Sequence, residues 1–91
     1  MYGVILVNER QTKVVCVSAV GRLGFPKGKI DEGETPLTCA ARECWEEIGY
    51  DVMNKLNPYD TIEVEGDTKN TVFFVVNNIK EESAKVPKML N

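Results

Sequence analysis

The sequence predicts a small α/β domain, and three observations carry that expectation. Val- and Ile-rich runs lie near both ends of the chain, a glycine-rich loop follows the second of them, and one segment with helical periodicity lies between loop and last run. A chain of 91 residues makes one domain at most, with limited capacity to bury a core. Its 43% hydrophobic and 27% charged residues are those of an ordinary globular domain rather than a disordered tail. The net charge of -3 gives no global attraction for nucleic acid, so no DNA partner is expected. Any polyanion has to be held by local lysines or by metal.

Taken in order, the first run is Gly3 to Asn8 (GVILVN) and the second Lys13 to Val20 (KVVCVSAV). The polar turn ERQT separates them, which predicts two strands paired with each other. Gly24 to Gly33 (GFPKGKIDEG) holds three glycines and a proline and reads as a structured loop. A helix follows. Thr35 suits the N-cap, Pro36 the first helical position, and Gly49 the residue that ends it. At about 100° per residue, Leu37, Ala41, Cys44 and Ile48 form one stripe expected to face the sheet. Asp51 to Glu65 is irregular, with Asn57 and Pro58 marking a turn before a short strand at Thr61–Val64. Thr71 to Ile79 (TVFFVVNNI) is the strongest strand, and the polar tail Lys80–Asn91 ends without a clear element.

Several classes of chemistry drop out at once. The chain has no histidine, which removes any imidazole base or nucleophile and leaves acid–base work to carboxylates, lysines or metal-activated water. Cys16, Cys39 and Cys44 show no metal-type pairing, and Cys39 and Cys44 project about 140° apart on the helix, too divergent to bridge. Unpaired cysteines predict a reducing, cytoplasmic setting. No apolar run approaches a membrane span, and MYGVILVNER lacks the features of a signal peptide, so no membrane partner is expected.

What remains is RECWEEIGY, Arg42 to Tyr50, with three glutamates in five residues. Glu43, Glu46 and Glu47 fall within about 100° of one another, on a face centred roughly 120° from the apolar stripe. Like charges one turn apart repel by roughly 0.2–0.5 kcal/mol per pair, and in the last turns the helix dipole disfavours carboxylates. One reading is a solvated face with Arg42 paired to Glu46. The other is a site for a hard divalent cation, which turns the repulsion into binding energy; Mg²⁺ prefers a few carboxylates together with waters and phosphate oxygens.

The spacing Gly28, five residues, Glu34, seven residues, then Arg42-Glu43-Cys44-x-Glu46-Glu47-x-Gly49-Tyr50 resembles the signature box of the Nudix hydrolases over 23 residues. Cys44 and Tyr50 stand where that family usually has Ile, Leu or Val. The resemblance implies an α/β/α sandwich on a mixed sheet, here without its usual C-terminal strand and helix, so that residues 1–91 make a C-terminally incomplete domain. It implies Mg²⁺ or Mn²⁺ held by Glu43, Glu46, Glu47 and the carbonyl of Gly28, the same glutamates carrying catalysis, and Glu34 and Arg42 supporting the site. The reaction implied is hydrolysis of a nucleoside diphosphate linked to another group.

Within the family, GFPKGKI with CAARE and EIGYD resembles the branch that removes the 5′ cap of mRNA, releasing 7-methyl-GDP and 5′-monophosphate RNA. Leu23 stands where that branch usually has tryptophan before GFPKGK. Lys27 and Lys29 then become phosphate contacts, with solvated loop lysines as the alternative. Three functions stay open: cap hydrolysis on RNA, hydrolysis of small compounds such as dinucleoside polyphosphates, and a non-catalytic scaffold binding nucleotide or RNA. Glu63, Glu65, Glu81 and Glu82 are candidates for a further functional acid outside the box.

Overall fold

In the computed structural model, residues 1–19 and 21–80 are described. The strands are β1 (Tyr2–Asn8), β2 (Val17–Ala19), β3 (Arg22–Gly24), β4 (Lys27–Gly28), β5 (Thr61–Val64) and β6 (Thr71–Ile79), with the helix α1 (Pro36–Ile48) between β4 and β5. The main sheet runs β4-β1-β6-β5 and is mixed. β1 and β6 are parallel, from Tyr2↔Val72 to Leu6↔Val76, with a register shift before Asn8↔Ile79. β4 against β1 and β5 against β6 are antiparallel. A single α-helix, α1, covers one face of the sheet among the described residues, giving the expected α/β class. The expected features of the tail from Glu81 onward, Glu81 and Glu82 included, lie outside the described residues.

The helix begins and ends as its sequence dictates. Thr35 Oγ1 accepts the Thr38 N–H at 3.2 Å, Thr38 Oγ1 accepts the Thr35 N–H at 2.9 Å, and Pro36 opens the first turn. Gly49 takes φ 75°, and its N–H donates to the Trp45 carbonyl at 2.8 Å. That left-handed conformation is why a glycine stands there.

One expectation is corrected and another extended. The first two runs do not pair along their length. β1 is already flanked by β4 at its start and by β6 along its length, so the second run meets only its end, through a Val7↔Val14 bridge and the Val15 N–H to Leu6 carbonyl bond of 3.1 Å. It then diverges and pairs β2 with β3 in a separate two-stranded sheet. The intervening turn is held by Asn8, a buried side chain whose Oδ1 accepts the N–H groups of Thr12 and Lys13 at 2.8 and 2.9 Å.

The buried side of α1 is also wider than the expected stripe, whose four residues all lie in or against the core. Cys39, Ala40 and Cys44 are fully buried, while Leu37, Ala41 and Ile48 are half-buried flanks. The reason is that the helix packs on two things, the sheet and the β4 loop, and Cys39 faces the loop with Sγ 3.8 Å from the Gly28 carbonyl. Val4, Leu6, Phe74, Val76 and Ile79 complete the core with Val15 and Val52. Each such side chain contributes roughly 1.5–3 kcal/mol of burial. Val52 lies in the stretch that reads as irregular. Strand alternation sends Phe73 to the opposite face, where it meets Phe25 edge-on at 5.5 Å between centroids.

Candidate active site

Arg42 organises the site. Its Nε donates to Glu34 Oε2 at 2.7 Å and its Nη2 to Glu34 Oε1 at 3.0 Å, a bidentate pair between two half-buried groups. Nη2 also reaches the Lys29 carbonyl at 3.0 Å, and Nη1 reaches Glu46 Oε1 at 3.1 Å. The Asp31 N–H donates to Glu34 at 2.8 Å, which closes the loop on itself. One helix arginine thus pins the loop that carries Gly28. Its hydrogen bonds hold the Glu34 carboxyl below the usual range, with the Asp31 N–H acting in the same direction.

The remaining glutamates take different environments. Glu43 lies directly on Gly28, so that a methyl group at position 28 would occupy the place of its carboxylate. This contact requires glycine. Glu47 Oε2 accepts the Lys27 N–H at 3.1 Å. Burial pushes both carboxyls upward; at Glu43 the nearby Arg42 opposes the shift, and at Glu47 the charge of Glu43 adds to it. Glu46 is about half exposed and bound to Arg42. The pairing expected for a merely solvated face is therefore present, and the same Arg42 Nη1 lies 3.6 Å from Glu43 Oε2.

Gly28, Glu34, Arg42, Glu43, Glu46 and Glu47 are all brought together where loop meets helix. Their donor atoms, carboxylate and carbonyl oxygens, suit a hard divalent cation. Among the described residues, however, no three carboxylate or cysteine side chains converge on one point. Glu46 is turned toward Arg42 and Glu47 toward the Lys27 N–H.

Lys27 and Lys29 stand apart from this set. On β4, Lys27 pairs with Gly3 and Gly28 with Tyr2. Alternation sends Gly28 toward the helix and the lysines toward the other face, where both line an open groove of about 530 Å³. Glu65 lines the same groove, and Glu63 accepts a hydrogen bond from Asn70, so neither joins the box carboxylates. Two residues of the site were not anticipated. Asp31, 3.4 Å from Arg42, follows from its turn spacing to Glu34; Lys69, which lines the groove from the β5–β6 connection, has no local signal.

The chain is 34% identical over 80 residues to the mRNA decapping complex subunit 2 of Schizosaccharomyces pombe, covering 85% of this chain and 11% of that protein. It is 30% identical over 91 residues to the m7GpppN-mRNA hydrolase of Saccharomyces cerevisiae, covering 98% of this chain and 9% of that protein. A third relative, the RNA pyrophosphohydrolase of Psychrobacter sp., is 51% identical over 49 residues, 52% of this chain and 28% of the other. The chain thus spans about a tenth of the length of the first two. Residues 2–88 match the NUDIX domain family, and with the box residues gathered where loop meets helix, this chain belongs to the Nudix hydrolases.

Proposed function

We propose that this domain is a metal-dependent pyrophosphohydrolase of RNA, cleaving the 5′ cap of mRNA to 7-methyl-GDP and 5′-monophosphate RNA. The observation that supports it best is the seating of the box on the loop. Glu43 rests on Gly28 and Glu47 on the Lys27 N–H, so residues far apart in the chain present carboxylates along one edge. The relatives' names agree on the substrate class, since each is described as acting on RNA or mRNA.

In this reading Glu43, Glu46, Glu47 and the Gly28 carbonyl hold Mg²⁺ or Mn²⁺. The ion supplies neutralisation of the phosphate charge and activation of water at neutral pH. Arg42 and Glu34 act by position, tying the loop to the helix so that the carboxylates keep their spacing. One box carboxylate takes the proton of the attacking water. As water adds to phosphorus, the bond to the bridging oxygen breaks, and the diphosphate leaves with the bond's electron pair. Lys27 and Lys29 contact phosphates as point charges.

The test compares capped RNA, free cap dinucleotide and diadenosine tetraphosphate, each with Mg²⁺ and with Mn²⁺. Capped RNA is expected to be cleaved most efficiently, with 7-methyl-GDP as the released product. Preference for either small compound would assign the site to small nucleotides. Metal binding without turnover of any of the three would make the domain a binding scaffold.

A further inference from the structure

Gly3 stands buried within an apolar strand, where a glycine loses conformational entropy and contributes no packing. The reason for it lies in the neighbouring strand. A Cβ at position 3 would collide with the Pro26 carbonyl oxygen and stand only 2.7 Å from Lys27 Cβ and 2.9 Å from Lys27 Cα. The obstacle is chiefly backbone, which cannot swing aside as a flexible side chain can. The same close approach lets the Val4 N–H donate to the Pro26 carbonyl at 3.1 Å and sets the pairs Gly3↔Lys27 and Tyr2↔Gly28. Pro26 is itself fully buried, so moving the segment outward would uncover it.

β4 is two residues long, and both of them meet the glutamates. The Lys27 N–H donates to Glu47 Oε2 at 3.1 Å, and Glu43 rests on Gly28. From the helix side, Cys39 is fully buried, with Sγ 3.8 Å from the Gly28 carbonyl oxygen and 3.9 Å from Arg42 Nη2. The thiol therefore accepts from the guanidinium and donates to the carbonyl, the only main-chain oxygen in the proposed ligand set.

We propose that Gly3 and Cys39 are positioning residues of the metal site. Gly3 lets β4 lie close against β1, Cys39 holds the Gly28 carbonyl from α1, and together they fix that oxygen relative to Glu43 and Glu47. A methyl group at position 3 lifts Pro26 and Lys27 off β1, and with them the Gly28 carbonyl and the Lys27 N–H. Outer contacts of this kind keep a ligand group in place, and losing one costs about 10–100-fold in metal affinity. The inference rests on the Gly28 carbonyl being a metal ligand, so its readout is metal binding rather than turnover.

The experiment titrates the full chain with Mn²⁺ alone, the free ion being followed by electron paramagnetic resonance. Gly3→Ala is expected to raise the Mn²⁺ dissociation constant by about 10–100-fold. With chelator present, the same variant should exchange its Val4 amide hydrogen faster than the parent. Cys39→Ala is expected to raise the constant in the same direction, while Cys39→Ser, which keeps a donor, stays nearer the parent. Gly66→Ala is the matched control, because its Cβ would collide with the Lys69 carbonyl in the β5–β6 connection, at the opposite edge of the sheet from β4. It should lower the melting temperature and leave the constant unchanged. A parent-like constant in Gly3→Ala or in Cys39→Ala overturns the proposal for that residue. Weakening by Gly66→Ala equal to that by Gly3→Ala overturns it too, since the loss then follows stability alone. Where Gly3→Ala does not fold, Cys39→Ala, which adds no atom, decides. A parent that binds no Mn²⁺ refutes the metal reading itself, whereas a parent that binds it as tightly as both variants refutes only the positioning.

Discussion

Single side chains decide the electrostatics of this site. Glu43 and Glu47 are carboxylates whose burial works against their charge, an effect that Arg42 beside Glu43 and Lys27 beside Glu47 offset only in part. Their folded pKa values are raised, so in the absence of metal their contribution to stability is lost as pH rises through those values. Glu43→Gln and Glu47→Gln should therefore melt at or slightly above the parent temperature without metal. The same variants should lose roughly 10²–10³-fold in kcat, the scale of removing one preorganised charge-stabilising group. Retention of most activity by either would remove the metal-cluster reading. Glu34 has the opposite sign. Its pKa is depressed by Arg42, so its contribution is present above the unfolded value and lost as pH falls through the folded one. Glu34→Gln should lower the melting temperature at neutral pH, and the gap to the parent should close below about pH 4. A gap that persists in acid would mean that Glu34 acts through packing rather than charge.

At the level of elements, the helix is the part whose limits depend least on the rest of the fold. Thr35→Ala removes a side-chain acceptor and should cost about 1 kcal/mol. Gly49→Ala forces φ 75° on a residue with a Cβ and should cost roughly 1–2 kcal/mol. In a domain of this size each kilocalorie lowers the melting temperature by about 4–8 °C, measurable by calorimetry. These ends were legible in the sequence because caps are local chemistry. So were the strands at Thr61–Val64 and Thr71–Ile79, the second as a nearly continuous apolar run. The pairing of the second run with Arg22–Gly24 was not, since it depends on β1 having its edges occupied by strands distant in the chain. Nor was the burial of Cys39, which follows from the β4 loop covering a second side of the helix. That the box glutamates share one helix face could be read from helical spacing, while the wider set, Gly28 and Glu34 included, came from the resemblance to the family. The opposed faces of Gly28 and its flanking lysines required knowing that Lys27–Gly28 is a strand.

For the molecule as a whole, metal and fold are linked. An ion that binds only the folded cluster stabilises it by mass action, about 2.7 kcal/mol at a hundred times its dissociation constant. Excess Mg²⁺ or Mn²⁺ should then raise the melting temperature by about 10–20 °C. Glu43→Gln should blunt that rise, and an equal rise in the variant would place the ion elsewhere. No helix among the described residues is long and apolar enough to cross a membrane.

The parallel pairing of Tyr2 with Val72 has a kinetic consequence. The two central strands of the sheet come from opposite ends of the described chain, so the largest ordering cost falls before the contacts that reward it. During synthesis, β1 leaves the ribosome before β6 and waits unpaired on its β6 side until Thr71–Ile79 has emerged. For that interval GVILVN is an open apolar edge, the kind of segment that associates with other chains. Release of nascent chains halted just before and just after Thr71–Ile79 should show this directly, with protease resistance appearing only in the longer set.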